Sequence, residues 1–213
     1  MGKKRRAGRP WWRKRRVLQS LVLTAFAAVG VGLIVWLVVR PSGGEGEEQP
    51  PQYLVEPAPA FTLPTLVGDE VSLSDHVGRH NALIFFNEGV GCAPCYRQIV
   101  DLENDWERFG ALDVELISIM IDPLSQLAPE ARELGVTGEK SIVALDVDKS
   151  VSKAYDALEY SMHPGIKPGH TFVLVNKAGQ IVWRWDWPSD MEMYLDVDFV
   201  YQGVSKWLKL RAG

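Results

Sequence analysis

The pattern of apolar and polar residues separates an uncharged stretch near the amino terminus from a longer region with globular periodicities. Val17–Val39 contains no charged side chain, and its 23 residues suffice for a membrane-spanning helix, which needs roughly 20. A buried core helix is one alternative, but this stretch is apolar on every face. A cleavable signal peptide is another, although its apolar region is usually about 7–15 residues long and precedes a small-residue cleavage site. We therefore predict an uncleaved transmembrane helix.

From about Ala60 onward the pattern predicts alternating strands and helices. The continuous apolar run Ala82–Phe86 is typical of a strand buried on both faces. Apolar residues at spacings of three and four predict a helix over Cys95–Phe109. The other predicted elements are a hairpin of Phe61–Leu63 and Val71–Leu73, strands at Val114–Ile121 and Ile142–Leu145, helical segments at Pro129–Leu134 and Lys149–Leu158, a hairpin of Thr171–Val175 and Ile181–Trp185, and a final helix at Met191–Leu210. This order predicts an α/β fold with helices on both faces of a central sheet.

Charge is distributed as unevenly as hydropathy. The first 40 residues hold ten of the 23 Lys and Arg and none of the 27 Asp and Glu, so their formal charge is +10 and that of the remainder is -14. Because positively charged flanks of a membrane span stay in the cytoplasm, we expect residues 1–16 to be a basic cytoplasmic arm. The rest would then be extracytoplasmic, in a single-pass protein of the cell membrane. This topology argues against nucleic-acid binding.

Residues 40–59, rich in Gly, Glu and Pro, are predicted to be a linker to a folded domain at 60–213.

The candidate chemistry lies in the only two cysteines, Cys92 and Cys95, which follow a predicted strand and open a predicted helix. A helix amino terminus favours a thiolate, so Cys92 is the expected attacking sulfur. Cys95, one turn later, is expected to resolve the mixed disulfide, and Pro94 falls in the first helical turn, where its missing N–H has no consequence. A zinc site would need further ligands, and only four histidines are present. We expect no bound cofactor.

Residues from about 58 to 187 resemble the redoxin and TlpA-like branch of the thioredoxin superfamily, which includes membrane-anchored thiol–disulfide oxidoreductases. The resemblance is carried by Ala58–Pro64, by the strand leading to Cys92-Ala93-Pro94-Cys95 with Arg97, and by Thr171–Ile181. It implies a thioredoxin-like fold, with a central mixed sheet flanked by helices, and a redox-active Cys92–Cys95 disulfide.

Three positions depart from the patterns of this superfamily. Gly91 precedes the first cysteine, where a tryptophan is frequent. His170 stands where thioredoxins and TlpA-like proteins carry a cis-proline, and Gly89 stands where peroxiredoxins carry a threonine three residues before the reactive cysteine. The last difference argues against peroxide reduction. Since the cis-proline loop of this fold lies against the cysteine pair, His170 is a candidate to stabilise the Cys92 thiolate or to bind a metal. A solvent-facing loop histidine is the ordinary alternative.

Two charged residues beside the pair are further candidates. Glu88 could relay a proton to Cys95, although a solvated loop carboxylate is the simpler expectation. Arg97 could support the thiolate electrostatically, although an exposed helix position is the default.

The sequence thus predicts thiol–disulfide exchange with extracytoplasmic protein partners. The direction is expected to be reductive by analogy with TlpA-like proteins, with an unidentified electron donor. One alternative is a peroxiredoxin-like thiol peroxidase. Another is a copper metallochaperone that uses the cysteine pair and a histidine.

Overall fold

The computed structural model describes residues 55–187 and 193–211, with side chains through residue 209, all within the second of the chain's two units, Tyr53–Gly213. The predicted arm 1–16, the predicted span Val17–Val39 and the predicted linker up to residue 54 lie outside the described residues. None of the described helices is long and apolar enough to cross a membrane.

Six strands form the main sheet, in the order β1-β8-β7-β4-β5-β6. β4 pairs in parallel with β5, and β5 with β6, whereas β7 is antiparallel to both β4 and β8. A separate antiparallel hairpin, β2 with β3, confirms the first predicted hairpin. The strands are β1 Glu56–Pro57, β2 Thr62–Pro64, β3 Glu70–Ser72, β4 Asn81–Phe86, β5 Val114–Met120, β6 Ile142–Leu145, β7 Thr171–Val175 and β8 Gln180–Asp186.

β4 lies inside the sheet because each of its six side chains is either apolar or forms a hydrogen bond while buried. Asn81, its only polar residue, donates from its side-chain amide to the carbonyl of Asp113 over 3.1 Å. Ile84 sits between Ile117 of β5 and Val173 of β7. The uninterrupted apolar run thus becomes a strand with neighbours on both edges and a core on both faces.

In residues 55–187 and 193–211, five α-helices cover the sheet: α1 Ala93–Asn104, α2 Trp106–Gly110, α3 Leu124–Glu133, α4 Ser150–Ala154 and α5 Val197–Arg211. One core contains residues of α1, α2, α3 and α5, and the other contains the β2–β3 hairpin and residues of α4. Helices therefore flank both faces of a mixed sheet, which confirms the predicted fold class for the described residues.

Several predicted boundaries differ from those observed. The predicted helix Cys95–Phe109 is interrupted at Asp105, whose backbone (φ -101°, ψ 12°) leaves the helical range and separates α1 from α2. The apolar spacing continues across this break, so the pattern does not reveal it. β1 lies within the range assigned to the linker, and it pairs with Ile181 and Gln180 of β8. The ordered sheet therefore includes residues before Ala60.

Candidate active site

Cys92 is positioned by the end of β4 and the start of α1. Residues 87–91 connect the two, and the Cys92 N–H donates to the Gly89 carbonyl over 3.0 Å. The Gly89 N–H in turn donates to the side-chain oxygen of Asn87 over 3.2 Å. Cys92 caps α1, and Pro94 lies exposed in the first turn, as the sequence predicts. The central strand therefore delivers this cysteine to a helix amino terminus.

Cys92 and Cys95 form a disulfide whose Cα atoms are 5.3 Å apart. The Cys95 N–H donates to the Cys92 carbonyl over 2.9 Å and approaches Cys92 Sγ at 3.3 Å. Cys95 is fully buried, whereas Cys92 keeps 5% of its surface exposed. Cys92 is consequently the sulfur that an incoming partner can reach first.

His170 reaches the cysteine pair because of strand direction. It immediately precedes β7, and since β7 runs antiparallel to β4, Thr171 lies opposite Phe86 at the end of β4. The start of β7 and the end of β4 thus share one edge of the sheet. There, His170 Nε2 lies 2.9 Å from Cys95 Sγ and 3.6 Å from Cys92 Sγ.

The His170 ring is 1% exposed and packs edge-on against Phe85, with 5.2 Å between ring centroids. The alternative of a solvent-facing loop histidine is therefore wrong. Burial lowers the pKa of His170 to about 4, so the imidazole is neutral at neutral pH. Its Nδ1 atom has no hydrogen-bond partner among the described residues. The described part of the chain contains no cis peptide bond.

Gly169 allows the chain before His170 to pass against the preceding loop. A Cβ atom at this position would lie 1.5 Å from the Tyr160 carbonyl oxygen. The Gly169 N–H donates to the Ala157 carbonyl over 2.9 Å. A side chain at this position would displace the segment that carries His170. The role of Gly169 was not predicted from the sequence, although Pro168-Gly169 directly before a strand is a turn signal.

The two charged candidates do not contact the cysteine sulfurs within the described residues. Glu88 is buried, and its Oε1 lies 3.8 Å from His163 Nδ1. The expectation that Glu88 is solvated is therefore wrong. The side chain of Arg97 is 68% exposed, and its guanidinium lies over the Tyr194 ring, 4.1 Å from the centroid. Arg97 thus occupies the ordinary exposed helix position.

Two carboxylates that were not predicted from the sequence hold the loop before Cys92. Asp122 accepts the Val90 N–H over 2.8 Å, and Glu130 of α3 accepts the Gly91 N–H over 3.0 Å. Burial and both carboxylates raise the pKa of Tyr96, which shows that their negative field reaches α1. Asp122 could have been found, because it almost directly follows β5, whose end lies at the same sheet edge as the end of β4.

The ligand atoms of Cys92, Cys95 and His170 all lie within 4.8 Å of one another, the only such group of three among the described residues. Two thiolates and an imidazole suit a soft cation such as Cu(I). Such an ion could bind only after reduction, because the disulfide occupies both sulfurs. His163 lies outside this group, and its Nδ1 atom is 3.8 Å from Glu88 Oε1.

The chain is similar in sequence to proteins named for redox activity. The sequence pattern of the AhpC/TSA family matches residues 54–184. A proposed peroxiredoxin of Mycobacterium tuberculosis, found in two strains, is 31% identical over 129 residues, which is 59% of this chain and 79% of that protein.

Solved structures show the same fold. The mitochondrial 2-Cys peroxiredoxin of Plasmodium falciparum superposes with a TM-score of 0.64 at 18% identity, covering 76% of this chain and 97% of that one. A proposed protein disulfide isomerase from Bacteroides thetaiotaomicron superposes with a TM-score of 0.55 at 24% identity, covering 74% and 91%. The fold is thus shared by proteins named for two different thiol chemistries.

Proposed function

This chain belongs to the AhpC/TSA family of thioredoxin-superfamily redox enzymes, and from that premise we propose that it catalyses thiol–disulfide exchange through Cys92 and Cys95. The observation that carries the proposal is the asymmetric pair at the start of α1, a marginally exposed Cys92 bonded to a fully buried Cys95. Such a pair exposes one sulfur to a partner and keeps the other for the intramolecular step.

The exchange follows directly from this asymmetry. In the reductive direction, the reduced Cys92 thiolate attacks a partner disulfide and releases one partner thiolate. Cys95 then attacks Cys92 Sγ, the bond between Cys92 and the partner breaks, and the second partner thiolate leaves. Two electrons pass to the partner and the Cys92–Cys95 disulfide forms. An electron donor must then reduce this disulfide through a mixed disulfide at Cys92.

We propose extracytoplasmic proteins as the partners and a location at the membrane. The support is the charge asymmetry of residues 1–40 and the uncharged stretch Val17–Val39. Proteolysis of intact and lysed spheroplasts tests this placement. The domain should be cleaved in intact spheroplasts, and cleavage only after lysis would contradict it.

A thiol peroxidase is the second candidate, favoured by the similarity to peroxiredoxins. Against it stands Gly89, at the position of the peroxiredoxin threonine. Gly89 has φ +73°, and a Cβ there would lie 1.9 Å from Asp122 Oδ2, so a threonine at this position would be strained and would require the Asp122 carboxylate to move.

Oxidation of the reduced protein distinguishes these two enzymatic candidates. We would measure the second-order rate constants with a single-disulfide protein substrate and with hydrogen peroxide, using Cys92→Ser as the control. Thiol–disulfide exchange predicts fast, Cys92-dependent oxidation by the disulfide and peroxide oxidation no faster than that of an ordinary thiol. Rapid oxidation of Cys92 by peroxide, with the protein disulfide unreactive, would instead support the peroxidase.

Copper delivery is a non-enzymatic candidate, supported by the grouping of Cys92, Cys95 and His170. It predicts that the reduced protein binds one equivalent of Cu(I) and that His170→Asn weakens this binding. Reduced protein that does not compete for Cu(I) with a chromogenic chelator would remove this candidate.

A further inference from the structure

His170 is closer to the resolving sulfur than to the attacking one. Its Nε2 atom lies 2.9 Å from Cys95 Sγ, within hydrogen-bond distance for a sulfur, and 3.6 Å from Cys92 Sγ. Cys95 has no exposed surface, so a proton leaving its thiol cannot pass directly to water. The sequence-based expectation linked His170 to Cys92, whereas the geometry links it more closely to Cys95.

The imidazole has a free lone pair that can accept that proton. With the disulfide formed, burial holds the pKa of His170 at about 4, so the ring is neutral at physiological pH and is a weak base until a negative charge forms beside it. Among the described residues no hydrogen bond to Nδ1 fixes the tautomer, so Nε2 can be present without a proton. A thiolate formed at Cys95 would stabilise the resulting imidazolium, since an opposite charge nearby favours the charged form.

Three carboxylates of the surrounding segments have other neighbours. Glu88, two residues after β4, lies 3.8 Å from His163 through an Oε1 atom that has no hydrogen-bond partner among the described residues, while Asp122 and Glu130 accept backbone N–H groups of the loop before Cys92. Asp186 of β8 accepts the Thr171 hydroxyl over 2.8 Å and pairs with Arg184. Within the described part of the chain, His170 is therefore the ionisable side chain, other than Cys92, that contacts Cys95 Sγ.

We propose that His170 is a catalytic residue, the base that accepts the Cys95 thiol proton on Nε2 as Cys95 attacks a mixed disulfide at Cys92. This role rests on the proposed thiol–disulfide exchange. The Cys95 S–H bond breaks as the proton moves to Nε2, and the Cys95 sulfur forms its bond to Cys92 Sγ. The partner sulfur leaves with the electron pair of its bond to Cys92 and takes up a proton from solvent, and the imidazolium then releases its proton and returns to the neutral form. In the reverse direction, His170 first takes up a proton and gives it to Cys95 as this sulfur leaves Cys92.

Reaction with a chromogenic disulfide, dithiobisnitrobenzoate, separates the two steps in one trace. Attack by Cys92 of the reduced protein releases the first coloured thiolate, and attack by Cys95 releases the second. We would follow both phases by stopped flow between about pH 6 and 9, where an unassisted thiol titrates. The variants are His170→Gln, His170→Asn, the matched control His163→Gln and Cys95→Ser, which should give only the first phase.

The proposal predicts a second phase that is nearly independent of pH in the unmodified protein. In His170→Gln it should slow on the order of 100-fold at about pH 6, and it should rise about tenfold per pH unit with the thiolate fraction of Cys95. The first phase should change much less, and His163→Gln should behave like the unmodified protein.

Three results would overturn the role of His170. These are a second phase unchanged in His170→Gln at every pH, a tenfold rise per pH unit in the unmodified protein itself, or an equal loss in His163→Gln. The pH dependence of the unmodified protein can be measured even if a variant does not fold. Release of only one equivalent by the unmodified reduced protein would instead refute the underlying exchange reaction.

Discussion

Gly89→Ala should destabilise the protein far more than Gly91→Ala, although both glycines lie in the same loop with positive φ. Gly89 has φ +73° and Gly91 has φ +87°. A Cβ at Gly89 would lie 1.9 Å from Asp122 Oδ2, whereas a Cβ at Gly91 would meet nothing within 4 Å. The two substitutions therefore share the backbone effect and differ in whether Asp122 must move.

The magnitudes follow from these two effects. A left-handed conformation of an alanine costs about 1 kcal/mol, which is the whole effect expected for Gly91→Ala. At Gly89 the carboxylate of Asp122 must also rotate away and lose the Val90 N–H that it accepts over 2.8 Å. Losing a hydrogen bond to a charged group adds roughly 1.5–3 kcal/mol. Gly89→Ala should therefore cost about 2.5–4 kcal/mol.

Urea unfolding of the disulfide form of the full chain, followed by tryptophan fluorescence, gives both free energies of unfolding. Asp122→Asn tests the origin of the difference, because it weakens the same hydrogen bond without adding a Cβ. Equal losses of stability in the two alanine variants would refute the reasoning. Such a result would mean that the contact between the loop and Asp122 does not stabilise the structure.

Three further predictions concern stability. Gly169→Ala should lower the free energy of unfolding by about 3 kcal/mol, because its Cβ would meet the Tyr160 backbone, which cannot rotate away; a loss below about 1 kcal/mol in urea unfolding would contradict this. The pKa of His170 is lowered to about 4 in the folded state, so between about pH 6.5 and 4 the unfolded state binds a proton that the folded state does not. The free energy of unfolding should therefore fall by on the order of 3 kcal/mol as the pH is lowered through this range. His170→Gln should remove this part of the acid sensitivity, and an unchanged difference between pH 7 and 4.5 would be inconsistent with a buried neutral imidazole. Reducing the disulfide should cost only about 2 kcal/mol, because it closes a loop of four residues; calorimetry of both redox forms measures this, and a much larger loss would indicate a mainly structural bond.

The strands were predictable because their signal is local. Ile142–Leu145 and Thr171–Val175 are observed with their predicted boundaries, since each is a short apolar run that ends where polar or turn residues begin. The helix break at Asp105 was not predicted, because Trp106 and Phe109 continue the apolar spacing of α1. The backbone dihedral angles of a single residue do not alter the spacing of apolar residues around it.

Only the part of the candidate site that is formed by residues close together in the sequence was predictable. The position of Cys92 at a helix start follows from the local order of strand, loop and helix. The proximity of His170 depends on antiparallel pairing of β4 with β7, and only the family resemblance suggested it. The burial of Glu88 and the contacts of Asp122 with the loop are long-range results of packing. Local patterns carry no information on such contacts.

Trapping of partner proteins tests the central claim most directly. The full chain with Cys95→Ser, expressed in its native host, should accumulate mixed disulfides through Cys92, visible as bands that disappear on reduction. The matched variant Cys92→Ser should accumulate none, because Cys95 has no exposed surface. Thiol–disulfide exchange predicts reducible, Cys92-dependent adducts with extracytoplasmic proteins. The absence of adducts with Cys95→Ser, or equal adducts with Cys92→Ser, would contradict it.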